Sequence, residues 1–358
     1  MSGSEPIILG IAALAAVFFA ASYLFAQVGM EKGYSSSSAL WFSLLANVIL
    51  LWLISVFLHG FTFDVWQWRY FILAGILAPA GGRLFLFLGM KRLGLNITIP
   101  IANSHPMVAI LFALAFLHEH LPWLGLVAAA LVVLGGILVG LSGKRTKSGN
   151  ASFDKKYLLL PIAAALLYAT SIIFRKIGIV IFPEAITAAA VTVTTSWIVH
   201  SLWLCASRGI NQLRVTYPGL MFFLLAGIMS GIAISLFYWS LRLGSVVLVM
   251  PMIATAPLFS LALSFVFLRR GELFNYRVIG GTVAMVIGVA MLTTFGTPHP
   301  SHRTPHKQPI HTQGNKFPSF ADSVAGVWTS HGIIDTSGHT DISKFVLNVY
   351  VLQLSVLE

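Results

Sequence analysis

A positively charged side chain lies deep within one of the apolar segments of this 358-residue sequence. Arg83 stands eight residues before Lys91, which corresponds to about 12 Å along a helix axis. An isolated charge inside a bilayer costs at least about 2.5–3.5 kcal/mol, so it needs a partner or water. Because a guanidinium fits a carboxylate or a phosphate, we predict that Arg83 faces a substrate cavity. Alternatively, it extends to the nearer membrane surface or donates to free carbonyl groups of a neighbouring helix.

Paired prolines interrupt two other apolar segments. Pro100 and Pro106 lie six residues apart, as do Pro251 and Pro257. Proline within a helix leaves the carbonyl four residues earlier without its donor, and in lipid this carbonyl needs another partner or a cavity. Breaks at matching places in two halves of a chain indicate a transport site. We therefore predict that these four prolines line a cavity, the alternative being kinks that serve packing.

Polar and aromatic side chains near these breaks are candidate ligands of a solute. Asn103, Ser104 and His105 lie between the first two prolines, and Thr255 corresponds to Ser104 in the second pair. The Ser104 and Thr255 hydroxyls either contact substrate or bond to carbonyls freed at the kinks. His105, which titrates near physiological pH, either accepts a coupling proton or stays neutral and hydrogen-bonded. Five further side chains either form the floor of a pocket for a planar ligand or serve packing and the membrane interface: Tyr168, Trp197, His200, Tyr238 and Trp239.

Other charged residues are expected at helix ends. Arg175 and Lys176 close the predicted sixth helix, where solvated cations would complement the helix dipole. Glu119 and Glu272 follow two apolar segments, and we predict that each carboxylate caps the free N–H groups at a helix N-terminus.

The elements that position these residues are transmembrane helices. Hydrophobic residues make up 57% of the chain and charged residues 9%, against roughly 25% charged in an ordinary soluble domain. This composition excludes a soluble enzyme. The net charge is +11, and the excess of Lys and Arg lies in short loops between apolar segments. This distribution argues against nucleic-acid binding and favours contact with the lipid bilayer. About ten helices are predicted, over residues 8–28, 40–58, 70–90, 97–117, 123–141, 158–177, 185–205, 220–241, 246–268 and 278–295.

The chain also repeats itself. Residues 18–29 align with residues 167–178, and the proline pairs and the two glutamates follow in the same order in each half. This pattern indicates a duplication of five helices. Because five is an odd number, the second copy crosses the membrane in the opposite sense. We therefore divide the chain into a first repeat (1–141), a basic linker (142–156), a second repeat (157–296) and a polar tail (297–358) that we expect to be disordered.

The motif order carries a family resemblance. A Leu-Gly turn, a proline-bearing helix, Phe-Leu with a following Glu at its end and a glycine-rich helix occur in both halves, as in residues 93–135. This order resembles the EamA-like branch of the drug/metabolite transporter superfamily. The resemblance implies a ten-helix carrier, often an exporter of amino acids or other small metabolites. The sequence departs from the family at His118-Glu119-His120, where Gly-Glu-Arg is usual, and at the longer turn Arg269-Arg270-Gly271-Glu272.

These observations predict an all-α integral membrane protein that acts as a secondary transporter of small polar metabolites, such as amino acids or related anionic and zwitterionic solutes. Alternating access between the repeats would draw on a coupling proton or a counter-solute. The sequence contains no catalytic motif, metal-ligand spacing or phosphate-binding loop, so no enzymatic activity or cofactor is expected. We place the protein in the cell membrane and leave its orientation open. The alternatives are a non-transporting sensor or scaffold and, less favoured, a lipid-modifying enzyme.

Overall fold

The computed structural model of the protein describes residues 5–32, 34–60, 64–93, 95–140, 155–207, 209, 213, 215–268 and 276–295. Most of the basic linker, Glu272 and the whole tail lie outside these residues. Within the described part of the chain, all regular structure is helical. The α-helices in chain order are α1 (Glu5–Glu31), α2 (Ser36–His59), α3 (Val65–Gly75), α4 (Gly82–Leu93), α5 (Leu95–Ala102), α6 (His105–Phe116), α7 (Trp123–Gly140), α8 (Leu159–Ile181), α9 (Ala185–Ala206), α10 (Tyr217–Leu243), α11 (Val246–Ile253), α12 (Ala256–Leu268) and α13 (Tyr276–Phe295).

These helices form the predicted set of membrane spans. Seven helical segments are long and apolar enough to cross a membrane, and three shorter apolar helices cover Trp123–Val139, Val246–Ser260 and Ile279–Thr294. The prediction of an all-α membrane fold with about ten spans is therefore confirmed. Local sequence sets some of the helix starts. The Ser35 hydroxyl accepts the Ser38 N–H at the start of α2, and the Asp64 carboxylate accepts two N–H groups at the start of α3.

Three spans are interrupted. The fourth breaks at Asn103–Ser104 between α5 and α6, and the ninth breaks before Ala256 between α11 and α12. Both breaks lie between the paired prolines, as predicted. The third span was predicted to be continuous, and that prediction is wrong. A π-helical turn over Ile76–Gly81 separates α3 from α4, and Ala78 in this turn has extended backbone angles (φ −154°, ψ 136°).

Helix packing follows the internal duplication. Helix α1 of the first repeat packs along α10 of the second, and α3 and α4 pack along α8 in the same manner. Three further pairs join corresponding spans of the two repeats: α2 with α9, α6 with α11 and α7 with α13. Helix backbones also approach each other closely at glycines in both repeats. A Cβ added to Gly75 would lie 2.4 Å from the Thr192 carbonyl oxygen, and one added to Gly227 would lie 2.3 Å from that of Ser43.

The turn between α10 and α11 is held by two opposite charges from other elements. The Glu119 carboxylate accepts the N–H groups of Val246 and Val247, each at 2.9 Å. The Lys176 ammonium donates to the carbonyls of Leu241 and Gly244, each at 2.7 Å. The predicted capping role of Glu119 is confirmed, and the helix that it caps belongs to the other repeat. Lys176 was expected in solvent, and instead it caps the end of α10.

The crossing of α7 and α13 provides a matched test of this packing. A Cβ at Gly281 would lie 2.7 Å from the Gly135 carbonyl oxygen, whereas a Cβ at the neighbouring Gly280 would have no atom within 4 Å. We expect Gly281→Ala to lower the free energy of unfolding by about 1–3 kcal/mol, because overpacking forces the helices apart. Gly280→Ala should be neutral or slightly stabilising, because glycine is a poor helix former. Thermal unfolding of the purified variants in detergent measures both effects, and equal melting temperatures would contradict this packing.

Candidate substrate site at the broken third span

Arg83 stands at the second position of α4, directly after the break in the third span. Its side chain is half-buried, and its guanidinium forms a hydrogen bond with Tyr168 and has Tyr23 and His200 as neighbours. Among the described residues, no carboxylate forms an ion pair with it. Both phenol rings offer a polar surface without a full negative charge. Within the described ranges, the guanidinium therefore has a neutral hydrogen-bond partner and no carboxylate as a counter-charge.

The break that positions Arg83 is stabilised from the second repeat. The Arg175 guanidinium donates from Nη2 to the Ala78 carbonyl at 2.9 Å. The Ser171 hydroxyl is 2.9 Å from the Ala74 carbonyl oxygen and 3.3 Å from that of Ala78. From α9, the Ser196 hydroxyl donates to the Gly75 carbonyl at 2.9 Å. Carbonyl groups that the irregular turn frees from helical bonding thus find donors on α8 and α9, as lipid requires.

Arg175 lies at a position that the sequence did not predict. It was expected in solvent at a helix end, but α8 continues to Ile181 and only 9% of Arg175 is exposed. Its guanidinium also lies over the rings of Phe237 and Tyr238, at 5.9 and 5.7 Å from their centroids. The sequence signal for this break was Pro79 with Gly81 and Gly82 shortly after it.

A cavity of about 200 Å³ opens beside Arg83. Its walls come from the π-helical turn, from the start of α4 and from α9, so both repeats contribute to it. Arg83, His200 and Trp203 supply the polar and aromatic lining, and Ile76, Leu84 and Val199 supply apolar surface. His200 stacks on Trp203 with a centroid separation of 5.7 Å. The cavity therefore combines one cation, one imidazole and a mostly apolar wall.

Two further predicted residues gather near Arg83. The His105 ring lies 5.1 Å from the Tyr168 ring, measured between centroids, and Tyr168 contacts Arg83. His105 Nδ1 is 3.1 Å from the Ala102 carbonyl oxygen. His105 is thus tied to the end of α5 while its ring extends the polar cluster. Arg83, His200, Tyr168 and His105 are the candidate residues that the structure brings together.

The other predicted residues are placed elsewhere. The Ser104 hydroxyl donates to the Ile101 carbonyl at 2.7 Å, and that of Thr255 donates to the Met252 carbonyl at 2.6 Å. Both contacts match the alternative in which these hydroxyls bond to backbone at the kinks. Asn103 and Trp239 are exposed. The Trp197 ring packs 5.6 Å from that of Trp41, between centroids.

The four prolines also lie apart from the cavity lining. Pro106 and Pro251 are buried, while Pro100 and Pro257 are half-buried. At the ninth span, a Cβ on Gly136 would lie 2.9 Å from the Ala254 carbonyl oxygen, so α7 covers this break closely. This contact matches the interpretation of the second proline pair as a packing kink. In the part of the chain that the structure describes, no three His, Cys, Asp or Glu side chains gather into a metal-binding group.

Comparison with known proteins identifies a related family. The family model of the EamA-like transporters matches residues 6–141 and 155–294. A solved structure described only as "Crystal structure of protein" is 17% identical in sequence, with a TM-score of 0.61 over 79% of this chain and 97% of that chain. This likeness concerns the fold alone. No curated protein matches the chain.

The role of Arg175 can be tested by its removal. We expect Arg175→Leu to destabilise the protein by about 1.5–3 kcal/mol, because the Ala78 carbonyl loses a charged donor inside the membrane. Arg92→Leu is the control, since Arg92 is exposed and lies over the Tyr157 ring, 5.0 Å from its centroid. Thermal unfolding in detergent compares the two variants. Equal losses of stability would mean that Arg175 does not hold the broken span.

Proposed function

The chain belongs to the EamA-like transporter family, and from this premise we propose that it is a secondary transporter of small anionic or zwitterionic solutes such as amino acids. The observation that carries the substrate class is Arg83. Its guanidinium borders the cavity, and within the described residues it has no carboxylate partner. A carboxylate or phosphate of a solute would supply the missing counter-charge with well-matched geometry.

The place of the cavity supports alternating access. Arg83 and the π-helical turn belong to the first repeat, whereas His200 and Trp203 belong to the second. In transporters with inverted repeats, the substrate site lies between the repeats, and rocking one against the other opens it to either side. We propose this motion here, with the recurring helix pairs as the surfaces that exchange contacts.

The energy for uphill transport would come from a gradient. The sequence carries no phosphate-binding loop for ATP, so a counter-solute or a coupling proton is the proposed driving partner. We place the transporter in the cell membrane. Exchange of labelled solute against unlabelled solute separates this proposal from a sensor on the same fold, because a sensor binds solute without moving it.

Arg83 variants test the proposal in proteoliposomes. Counterflow of radiolabelled amino acids, organic acids and sugar phosphates is measured for wild type, Arg83→Ala and Arg83→Lys. We expect exchange of an anionic or zwitterionic solute to fall about 10- to 100-fold in Arg83→Ala, as the loss of a charged hydrogen bond implies. Arg83→Lys should retain part of the activity, because it keeps the charge and loses the paired donors.

The matched control is Arg92→Ala, which removes an exposed arginine from the other end of α4. Its exchange rate should equal that of wild type. If Arg83→Ala also exchanges at the wild-type rate, Arg83 does not bind the solute and the proposed substrate class is wrong.

A further inference from the structure

A buried nitrogen in the cavity lacks a partner. Only 7% of His200 is exposed, and its Nε2 atom has no hydrogen-bond partner in the described part of the chain. Leaving a buried polar atom unpaired is unfavourable unless another molecule satisfies it. Because His200 lines the same cavity as Arg83, a solute bound to Arg83 lies within reach of this atom.

The surroundings of the His200 imidazole indicate which kind of hydrogen-bond partner its Nε2 atom requires. The ring also has a backbone hydrogen-bond partner at Ser37 in α2. When Nδ1 carries the hydrogen and donates to that backbone carbonyl, the neutral ring leaves a lone pair on Nε2. Arg83 is the cationic neighbour of His200 in the cavity. Nε2 is therefore suited to accept a hydrogen bond from a ligand.

The rest of the lining limits the size and polarity of the ligand. The cavity of about 200 Å³ is smaller than the roughly 300–1,000 Å³ of sites for drug-sized molecules. Beyond Arg83 and His200, its wall consists of the Trp203 ring and aliphatic side chains. A compact apolar group would fill this space, whereas several hydroxyl groups would lose their bonds to water without replacement.

We propose that this cavity selects small carboxylates that carry an amino or hydroxyl group next to the carboxylate and a compact apolar remainder. This inference rests on the proposed transport function. Arg83 binds the carboxylate, His200 Nε2 accepts from the neighbouring amino or hydroxyl group, and the apolar remainder lies against Trp203. His200 is then a specificity-determining residue, because a site built around a hydrogen bond rejects analogues that cannot make it.

Three probes of equal shape test the donor requirement: leucine, its 2-hydroxy analogue and 4-methylpentanoate, which has hydrogen in place of the amino group. Each is measured as a competitor in counterflow and as a stabiliser of the purified full-length protein against heat. In wild type, we expect leucine and the hydroxy acid to bind at least about tenfold more tightly than 4-methylpentanoate. Equal affinities for the three probes would overturn the inference.

Variants then assign the preference to His200. His200→Phe keeps a ring against Trp203 and removes Nε2, so the preference for the donor-bearing probes should fall to less than about twofold. His120→Phe is the control, since His120 is exposed in the segment between α6 and α7, and it should keep the wild-type preference. If His200→Phe does not fold, His200→Leu, which also lacks an acceptor atom, replaces it, and the wild-type comparison of the three probes decides independently.

The outcomes separate this inference from the function on which it rests. Exchange that depends on Arg83 but does not distinguish the three probes overturns the role of His200 and leaves the transporter intact. A preference for donor-bearing probes that persists in His200→Phe also overturns it. Exchange of sugar phosphates in place of the three probes overturns the selectivity and leaves the proposed class of anionic solutes intact. No exchange of any solute and no stabilisation by any probe contradicts the selectivity and the proposed function together.

Discussion

Backbone carbonyls inside a bilayer must find hydrogen-bond donors, and this constraint governs the most irregular part of the molecule. The third span leaves helical geometry at Ala78, where water cannot compensate for lost bonds. Arg175 and Ser171 from α8 and Ser196 from α9 supply the donors. The break can persist because the second repeat holds it. Arg83 and the cavity take their positions from this turn, so the candidate site depends on contacts between the repeats.

The two halves share a scaffold and differ at this point. Ser22 on α1 donates to the Ala226 carbonyl of α10 at 2.8 Å, as its counterpart Ser171 donates to the Ala74 carbonyl of α3. The counterpart of Arg175, however, is Ala26, and α10 runs without a break from Tyr217 to Leu243. A broken span and a buried arginine therefore occur together in one of two equivalent helix pairs: in α3 and α4 with α8, and not in α10 with α1. The two repeats therefore differ at the broken third span, and the candidate site beside Arg83 lies there.

Much of the fold could be predicted from sequence, because it follows from composition and repetition. The low charge content required spans, and the matched proline pairs placed the breaks in the fourth and ninth spans. The break at Pro79 was missed because residues 219–243 of the second repeat contain no proline to match it. Arg175 was misplaced because the predicted helix ended too early. The pairing of Arg83 with His200 could not be predicted, since they lie in different repeats and the packing of the π-helical turn against α9 brings them together.

The central claim is that the cavity beside Arg83 opens alternately to the two sides of the membrane and holds an anionic solute. Cys205 is the one cysteine of the chain, so replacing it with serine and Val199 with cysteine places a single thiol in the cavity wall. A membrane-impermeant thiol reagent added to either side of sealed proteoliposomes measures access. We predict labelling from both sides, slowed by an exchanged solute when Arg83 is present and not in Arg83→Ala. Labelling from one side only, or protection that survives the loss of Arg83, would contradict the claim.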